Sequence, residues 1–367
     1  MKKILITFGT RPDAIKMCPL VKELQKHDDI QTIVCVSGQH DRMLHQVLEA
    51  FGIVPDYDLR IMRKEQSLFD ITYGVLNGMR DVLQKEQSDI VLVHGDTSTA
   101  FAAALTCFYM KIPVGHVEAG LRTYNLEAPW PEEFNREAIG VIARLHFAPT
   151  ERAKQNLLCE GKKEESIFVT GNTVIDALKT TVYKGYSHAL LEWAKDSRLI
   201  LMTAHRRESV GDPMREVFKA VRLLIEETED CKVIYPVHPN PKVKELAEEE
   251  LGGHERIKLV EPLDVIDFHN FMSRAYLILS DSGGVQEEAP SFGVPVLVLR
   301  DTTERPEGVA AGTLKLVGTD KNRIMEECRK LLSDQNEYNK MAMAINPYGD
   351  GKASERIVKS LRGFLFG

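Results

Sequence analysis

Two histidine–carboxylate pairs stand with one residue between partners: His94 and Asp96 in "VHGDTST", and His116 and Glu118 in "GHVEAG". Residues i and i+2 of a strand face the same way, so each pair would project from one strand end. One reading is half of a divalent metal site, because imidazole with carboxylate can bind zinc or manganese. Two further ligands with clear spacing are not apparent, however. The other reading is acid–base chemistry. Asp96 has a structural competitor there, as the N-cap of a helix beginning at Thr97. Glu118 precedes Ala119-Gly120 and caps nothing obvious. Downstream, "APWPEEFNRE" adds Glu132 and Glu133 behind two prolines. Several carboxylates converging at strand ends suit proton transfer better than they suit folding.

The cations are equally placed. "GTRPDAIKM" follows the apolar run "KILITF", so Arg11 lies at a strand mouth and Lys16 about one turn into a helix. Pro12 suits the first helical turn and Asp13 its positive end. The plainer alternative pairs Arg11 with Asp13 and leaves Lys16 solvated. In the second half, "MTAHRRES" puts His205, Arg206 and Arg207 at another strand end, where a solvated turn is the competing reading for Arg207. "SDSGGVQEEAPSFG" places Ser282, Gly283 and Gly284 at a helix start after "YLIL". Unpaired amides at a helix start make a phosphate cradle. Glu288 follows Gly284 by one turn and could accept both hydroxyls of a ribose, and "RDTTERPEG" supplies Arg305. Together these suit a nucleoside diphosphate. A nucleotide-sugar would satisfy both halves, with acids for the sugar and a cradle for the nucleotide.

Such residues need strands to hold them. In the first half the strand candidates are "KILITF", "TIVCVS", "DIVLVHG", "IPVGHVE", "LHFAP" and "SIFVTG". The second series is "RLILMTAH", "KVIYPVH", "RIKLVEP", "AYLILSD", "VPVLVLRD" and "LKLVGT". Nearly unbroken Val/Ile/Leu runs alternating with helices predict buried parallel strands in an α/β fold. Leu68, Ile71, Thr72, Val75, Leu76, Met79, Val82 and Leu83 form one stripe of a helix over 67–87. The expected organisation is an N-terminal domain at 1–171, a connecting segment at 172–197 and a C-terminal domain at 198–350. A helix over 351–367 could pack back on the N-terminal domain. Ligands bind beyond the carboxyl ends of such strands, where the residues above lie.

Composition narrows the partners. Lys plus Arg is 47 against 54 Asp plus Glu, a net charge of −7, which argues against nucleic acid or an anionic membrane. Any anion must be met by a local cluster of cations. The six cysteines show no C-x-x-C spacing and read as small core residues of a reducing compartment. No apolar stretch approaches the ~20 residues that span a bilayer, and no signal-peptide pattern opens the chain. A cytoplasmic protein is the expectation.

The stretches "FGTRPDAIKM", "VHGDTST", "GHVEAGLRT", "PWPEEFNR", "TAHRRES", "DSGGVQEEAPSFGVPVLVLRDTTERPE" and "NPYGDGKASERI" resemble the non-hydrolysing UDP-N-acetylglucosamine 2-epimerases. The resemblance runs from Ile4 to about residue 360, with Asp13 where glutamate is usual. It implies two Rossmann-like domains with parallel sheets facing a cleft, as in B-type glycosyltransferases. It also implies reversible epimerisation of UDP-GlcNAc to UDP-ManNAc, by elimination of UDP to a 2-acetamidoglucal and its re-addition. No cofactor or metal is implied, and the expected partners are the two UDP-sugars, UDP and a second copy in a homodimer. The product would feed bacterial surface polysaccharide.

The family's catalytic roles carry over to Lys16, Asp96, Glu118, Glu132 and His205, with Arg11 also at the substrate. Nucleotide binding carries over to Phe268, Ser282, Gly283, Gly284, Glu288 and Arg305. Some bacterial members bind a second, activating UDP-GlcNAc, and "SGQHDRMLHQVLEAF" resembles the segment that helps form that site. Gln39, His40, Met43, Gln46 and Phe51 match there, with Glu132, Arg206 and His238 from elsewhere. Arg42 stands where a glutamine is expected. The rival readings are a glycosyltransferase of the same fold, a hydrolysing epimerase and a non-catalytic nucleotide-sugar sensor.

Overall fold

Buried strands form where the apolar runs predict them. In the computed structural model the first sheet contains β1 (Lys2–Phe8), β2 (Ile30–Val36), β3 (Tyr57–Asp58), β4 (Ile90–His94), β5 (Val114–Val117), β6 (Leu145–Ala148) and β7 (Ile167–Val169). The second contains β8 (Arg198–Thr203), β9 (Cys231–Pro236), β10 (Ile257–Val260), β11 (Leu277–Ser280), β12 (Val296–Val298) and β13 (Leu314–Leu316). The structure describes the 367-residue chain except Gln39, His40, Lys64, Glu65, Arg207 and Glu208, and excepting the side chains of Asp41, Arg42 and Met43.

The chain divides into two compact units, Met1–Thr180 with Tyr348–Gly367, and Thr181–Pro347. The segment 172–197 is therefore shared out: the helix Thr173–Thr181 starts in the first unit, and the helix Ala189–Ala194 lies in the second. The C-terminal helix Ala353–Phe366 belongs to the first unit.

Among the described residues the strands pair in parallel throughout both sheets, with orders β3-β2-β1-β4-β5-β6-β7 and β10-β9-β8-β11-β12-β13. Each order reverses direction once, between β1 and β4 in one sheet and between β8 and β11 in the other. At such a switch point the following loops run to opposite faces and leave a crevice beyond the carboxyl strand ends. Helices cover the sheets, and their starts are set locally. Thr10, Ser67, Thr97, Thr150, Asp264 and Asp320 each accept a first-turn amide from their side chains. The expected stripe appears on the helix Leu68–Glu86, which buries Ile71, Val75, Met79, Val82 and Leu83. Five of the six cysteines are buried as free thiols, and Cys159 is exposed. No helix among the described residues is long and apolar enough to cross a membrane.

Candidate active site

The switch point of the first sheet collects most of the acids. Arg11 opens the helix Arg11–Leu24 directly beyond β1, and Thr10 caps it by accepting the Asp13 amide. Asp13 is buried and turns inward: its Oδ1 lies 3.1 Å from His94 Nδ1, and Thr97 Oγ1 donates to Oδ2 at 3.4 Å. Lys16 is not the solvated residue that propensity alone allows. Its ammonium reaches Glu118 Oε2, and both side chains are largely buried.

Glu118 sits just past β5 at φ +62°, a left-handed conformation that non-glycine residues rarely adopt. The same Oε2 accepts from Asn172 Nδ2 at 2.8 Å and lies 3.7 Å from His94 Nε2. Burial opposes the carboxylate's charge, but Lys16 and His94 outweigh it and hold the group well below the usual carboxylate range. Burial likewise opposes charge on His94, yet Glu118 and the Asp13 hydrogen bond push its pKa up to about 9. At neutral pH His94 is an imidazolium donating to Asp13.

Asp96 behaves in the opposite sense. Burial raises its pKa to about 6 against the pull of Arg136, and the charges of Glu118, Asp13 and Glu132 add to the rise. Arg136 Nη2 lies 2.7 Å from Asp96 Oδ2, and Asn135 Nδ2 donates to its backbone carbonyl at 2.8 Å. The N-cap reading of Asp96 is overturned. The helix is Ser98–Tyr109, and the hydroxyl of Thr97 caps it by accepting the Ala100 amide at 3.2 Å.

Glu132 is the first residue of the helix Glu132–Ile142 and contributes to the field at Asp96. Its neighbour Glu133 is structural. Fully buried, it accepts the amides of Thr123 and Tyr124 at 2.8 and 2.7 Å and so ties down the approach to the helix.

His116 leaves the chemistry too. Its Nε2 lies 2.7 Å from the Gly95 carbonyl, and burial drives its pKa down to about 3, which leaves it neutral. Among the described residues no three His, Cys, Asp or Glu side chains gather as a metal donor set. The histidine–carboxylate spacing serves charge pairing at His94 and backbone support at His116.

The second unit repeats the placement. His205 and Arg206 follow β8, and buried Asp281, just past β11, accepts both their amides at 2.6 and 2.8 Å. His205 Nδ1 also lies 2.9 Å from Asp281 Oδ1. Burial opposes charge on Asp281, but His205 and the two amides lower its pKa. His238 stacks on His205 with ring centroids 5.7 Å apart. Ser282 precedes the helix Gly283–Glu288, whose first amides have no intrahelical acceptor. Arg305 lies against that start: a Cβ added to Gly283 would sit 3.5 Å from its Cζ.

Glu287 anchors Arg305 through Nε at 2.7 Å. Glu304 pairs with Arg206 at 3.0 Å and with Arg300 at 2.7 Å, and its pKa falls to about 2 as Arg305 and Arg300 overcome its burial. Glu288 is buried with Oε2 3.4 Å from His269 Nε2. Phe268 is partly buried against the apolar cluster around Phe271. Gln39, His40, Arg42, Met43 and Arg207 fall outside the described side chains, while Gln46 is exposed and Phe51 is buried. Asp13, Arg136, Asn172 and Asp281 carry much of this geometry and were not singled out as site residues by the sequence, while His94 was singled out for its spacing to Asp96 and instead meets Asp13 and Glu118. Asn172, following a strand in "VTGNT", had the signal of a strand end, as the other residues beyond strands did.

The family model for UDP-N-acetylglucosamine 2-epimerase matches residues 22–362. The chain belongs to that family. A UDP-N-acetylglucosamine 2-epimerase of Bacillus subtilis (strain 168) is 58% identical over 359 residues, covering 98% of this chain and 94% of that protein. The solved structure of S. aureus MnaA with UDP superposes with a TM-score of 0.92 at 53% identity, covering 100% and 97% of the two chains. The UDP-GlcNAc 2-epimerase of Neisseria meningitidis, bound to UDP-GlcNAc, gives 0.90 at 48% identity, covering 98% and 100%. The epimerase family is thus reached by sequence and by two-sheet α/β fold alike.

Proposed function

We propose that this chain is a non-hydrolysing UDP-N-acetylglucosamine 2-epimerase interconverting UDP-GlcNAc and UDP-ManNAc. The observation that carries the reading is the split between neighbouring carboxylates, with Glu118 held ionised and Asp96 raised to about 6. Environments that push two acids apart assign them different tasks. The C2 hydrogen has no carbonyl beside it, so positive charge must build at C1 as UDP leaves. The C1–O bond breaks with its electron pair going to UDP. The C2–H electron pair then forms the C1=C2 bond, and the proton passes to a carboxylate. Return of a proton on the other face and re-addition of UDP complete the epimerisation.

Asp96 suits the proton-carrying role and Glu118 the stabilisation of developing positive charge, with Glu132 as a further acid. Arg11, Lys16, His205 and Arg305 meet the diphosphate. Ser282, Gly283, Gly284, Glu288 and Phe268 hold the rest of the nucleotide. Proton NMR of UDP-GlcNAc with the enzyme in deuterium oxide tests the reading. Both UDP-sugars should gain deuterium at C2 as they equilibrate. Epimerised product retaining hydrogen at C2 would overturn the mechanism; free ManNAc would indicate hydrolysis, and transfer of GlcNAc to an acceptor a glycosyltransferase.

The enzyme would work in the cytoplasm as a homodimer supplying surface polysaccharide. Support for the homodimer comes from exposed Phe69, Tyr73, Phe108, Tyr109, Phe134 and Val141 on three helices packed side by side. A Phe108→Glu variant that sediments like the wild type would discount that face. Activation by a second UDP-GlcNAc at Gln39, His40, Arg42, Gln46, Glu132, Arg206 and His238 is retained as part of the reading. It predicts a lag when the reaction starts from pure UDP-ManNAc, removed by a trace of UDP-GlcNAc.

A further inference from the structure

We propose that Asp13 and His94 form a positioning pair for Glu118, locking its Oε2 edge so that Glu118 serves as a fixed charge and does not carry the C2 proton. The proposal rests on the epimerase reading and deepens it. Oε2 accepts from the Lys16 ammonium and from Asn172 Nδ2 at 2.8 Å, and the buried Nε2 of His94 lies 3.7 Å away, too far for a hydrogen bond but close enough to pair charge. A carboxylate oxygen that already accepts two hydrogen bonds beside a cationic ring is poorly placed to take a substrate proton. Oε1 lies near Gly95, where an added Cβ would sit 3.8 Å from it. The carboxylate is therefore held through Oε2.

His94 stands between two acids. Its Nδ1 meets Asp13 at 3.1 Å from the helix Arg11–Leu24, and its Nε2 faces Glu118 from the β5 end. The other groups acting on His94 and Glu118 are Lys16 on that same helix, neutral His116 on β5 and Asp96 beyond β4. A buried imidazolium is costly unless paired, and here each ring nitrogen faces a carboxylate. Asp13 thus keeps the positive charge on His94, and His94 keeps the negative charge on Glu118. The left-handed backbone at Glu118 is the kind of strained conformation that surrounding contacts must over-determine.

Two readouts test the pair. Nitrogen NMR of the His94 ring should show imidazolium persisting to about pH 9 in the wild type. In Asp13→Asn its titration should move toward the ordinary value of about 6.5. In activity, His94→Gln and Asp13→Asn should lower kcat by roughly ten- to a hundredfold through misplacement of Glu118. KM should change little, and the acid limb of the kcat profile should move to higher pH. Asp13→Glu, which keeps the charge, should recover most of the loss. His94 titrating near its ordinary value in the wild type overturns the proposal. So do variants with a lower Tm but unchanged kcat and pH profile. If the wild type does not epimerise, the epimerase reading fails, and the ring titration still decides whether the pair exists.

Discussion

Asp96 and Glu118 are both carboxylates just past neighbouring strands, yet their neighbours give them opposite tendencies. Asp96→Asn should cut turnover by roughly 10²-fold or more, as for an acid–base group, with Tm almost unchanged because Thr97 does the capping. Turnover and thermal melts of one preparation check this; a large Tm loss at wild-type turnover would return Asp96 to a structural role. His94 carries a separate pH signature. Its folded pKa of about 9 exceeds an unfolded value of about 6.5, so its contribution to stability is complete below the lower value and is lost as pH rises through the upper one. Wild-type stability should therefore decline between those values, and His94→Gln should flatten that part of the denaturation profile. At this scale the sequence exposed Lys16, Asp96 and Glu118, because charge at a strand end stands out. It could not show that Asp13 meets His94 across 81 positions, that Asn172 meets Glu118, or that Glu133 is spent on two backbone amides. Those pairings are tertiary, and no local period encodes them.

Elements explain why these side chains hold their places. Twelve of the thirteen strands among the described residues were legible as apolar runs, since parallel strands buried on both faces leave little else in the sequence. The missing one, β3, is two residues long, Tyr57–Asp58, too short to make a pattern. The exit from β5 depends on Gly120. Its φ is +88°, and a Cβ there would lie 2.3 Å from the Ala153 carbonyl oxygen. Gly120→Ala must move that turn and, two residues away, Glu118. The cost should be at least about 1–3 kcal/mol, the scale of one strained residue. Thermal melts and turnover should fall together, and a wild-type Tm would show that the turn can relax. On the nucleotide side, the short helix Gly283–Glu288 brings Glu288 back beside Gly284, whose added Cβ would lie 3.5 Å from Oε1. Glu288→Ala should weaken UDP and UDP-GlcNAc alike, by about 1.5–3 kcal/mol for a charge-assisted hydrogen bond. Unchanged UDP affinity by calorimetry would move the ribose contact elsewhere.

At the scale of the whole chain, the segment 172–197 was expected to connect two domains; the unit boundary at Thr180–Thr181 falls inside it, and the chain returns to the first unit from Tyr348. That return is fixed by contacts the sequence does not advertise. Asn172 donates its amide to the Tyr348 carbonyl at 2.7 Å, and Asp176 accepts the amides of Ala353 and Ser354 at 3.1 and 2.8 Å. The helix Ala353–Phe366 then packs on Arg11–Leu24, the helix that carries Arg11, Asp13 and Lys16, and Arg362 closes the pair with Asp29 at 2.6 Å. Deleting residues 353–367 should therefore act on the acids although none is removed. Three buried side chains, Ile357, Val358 and Leu361, are lost at roughly 1.5–3 kcal/mol each, which is comparable to the whole stability of many domains. The truncated protein should lose its epimerase turnover and show a low-temperature melting step. UDP binding should weaken but survive, because Ser282 to Glu288 with His205 and Arg305 lie in the unit Thr181–Pro347, and only the contacts proposed for Arg11 and Lys16 are disturbed. Calorimetry of UDP against the truncated and full chains separates the outcomes. Complete loss of UDP affinity would mean that the nucleotide depends mainly on the first unit, and wild-type turnover would mean that the terminal helix does not hold Lys16 in place.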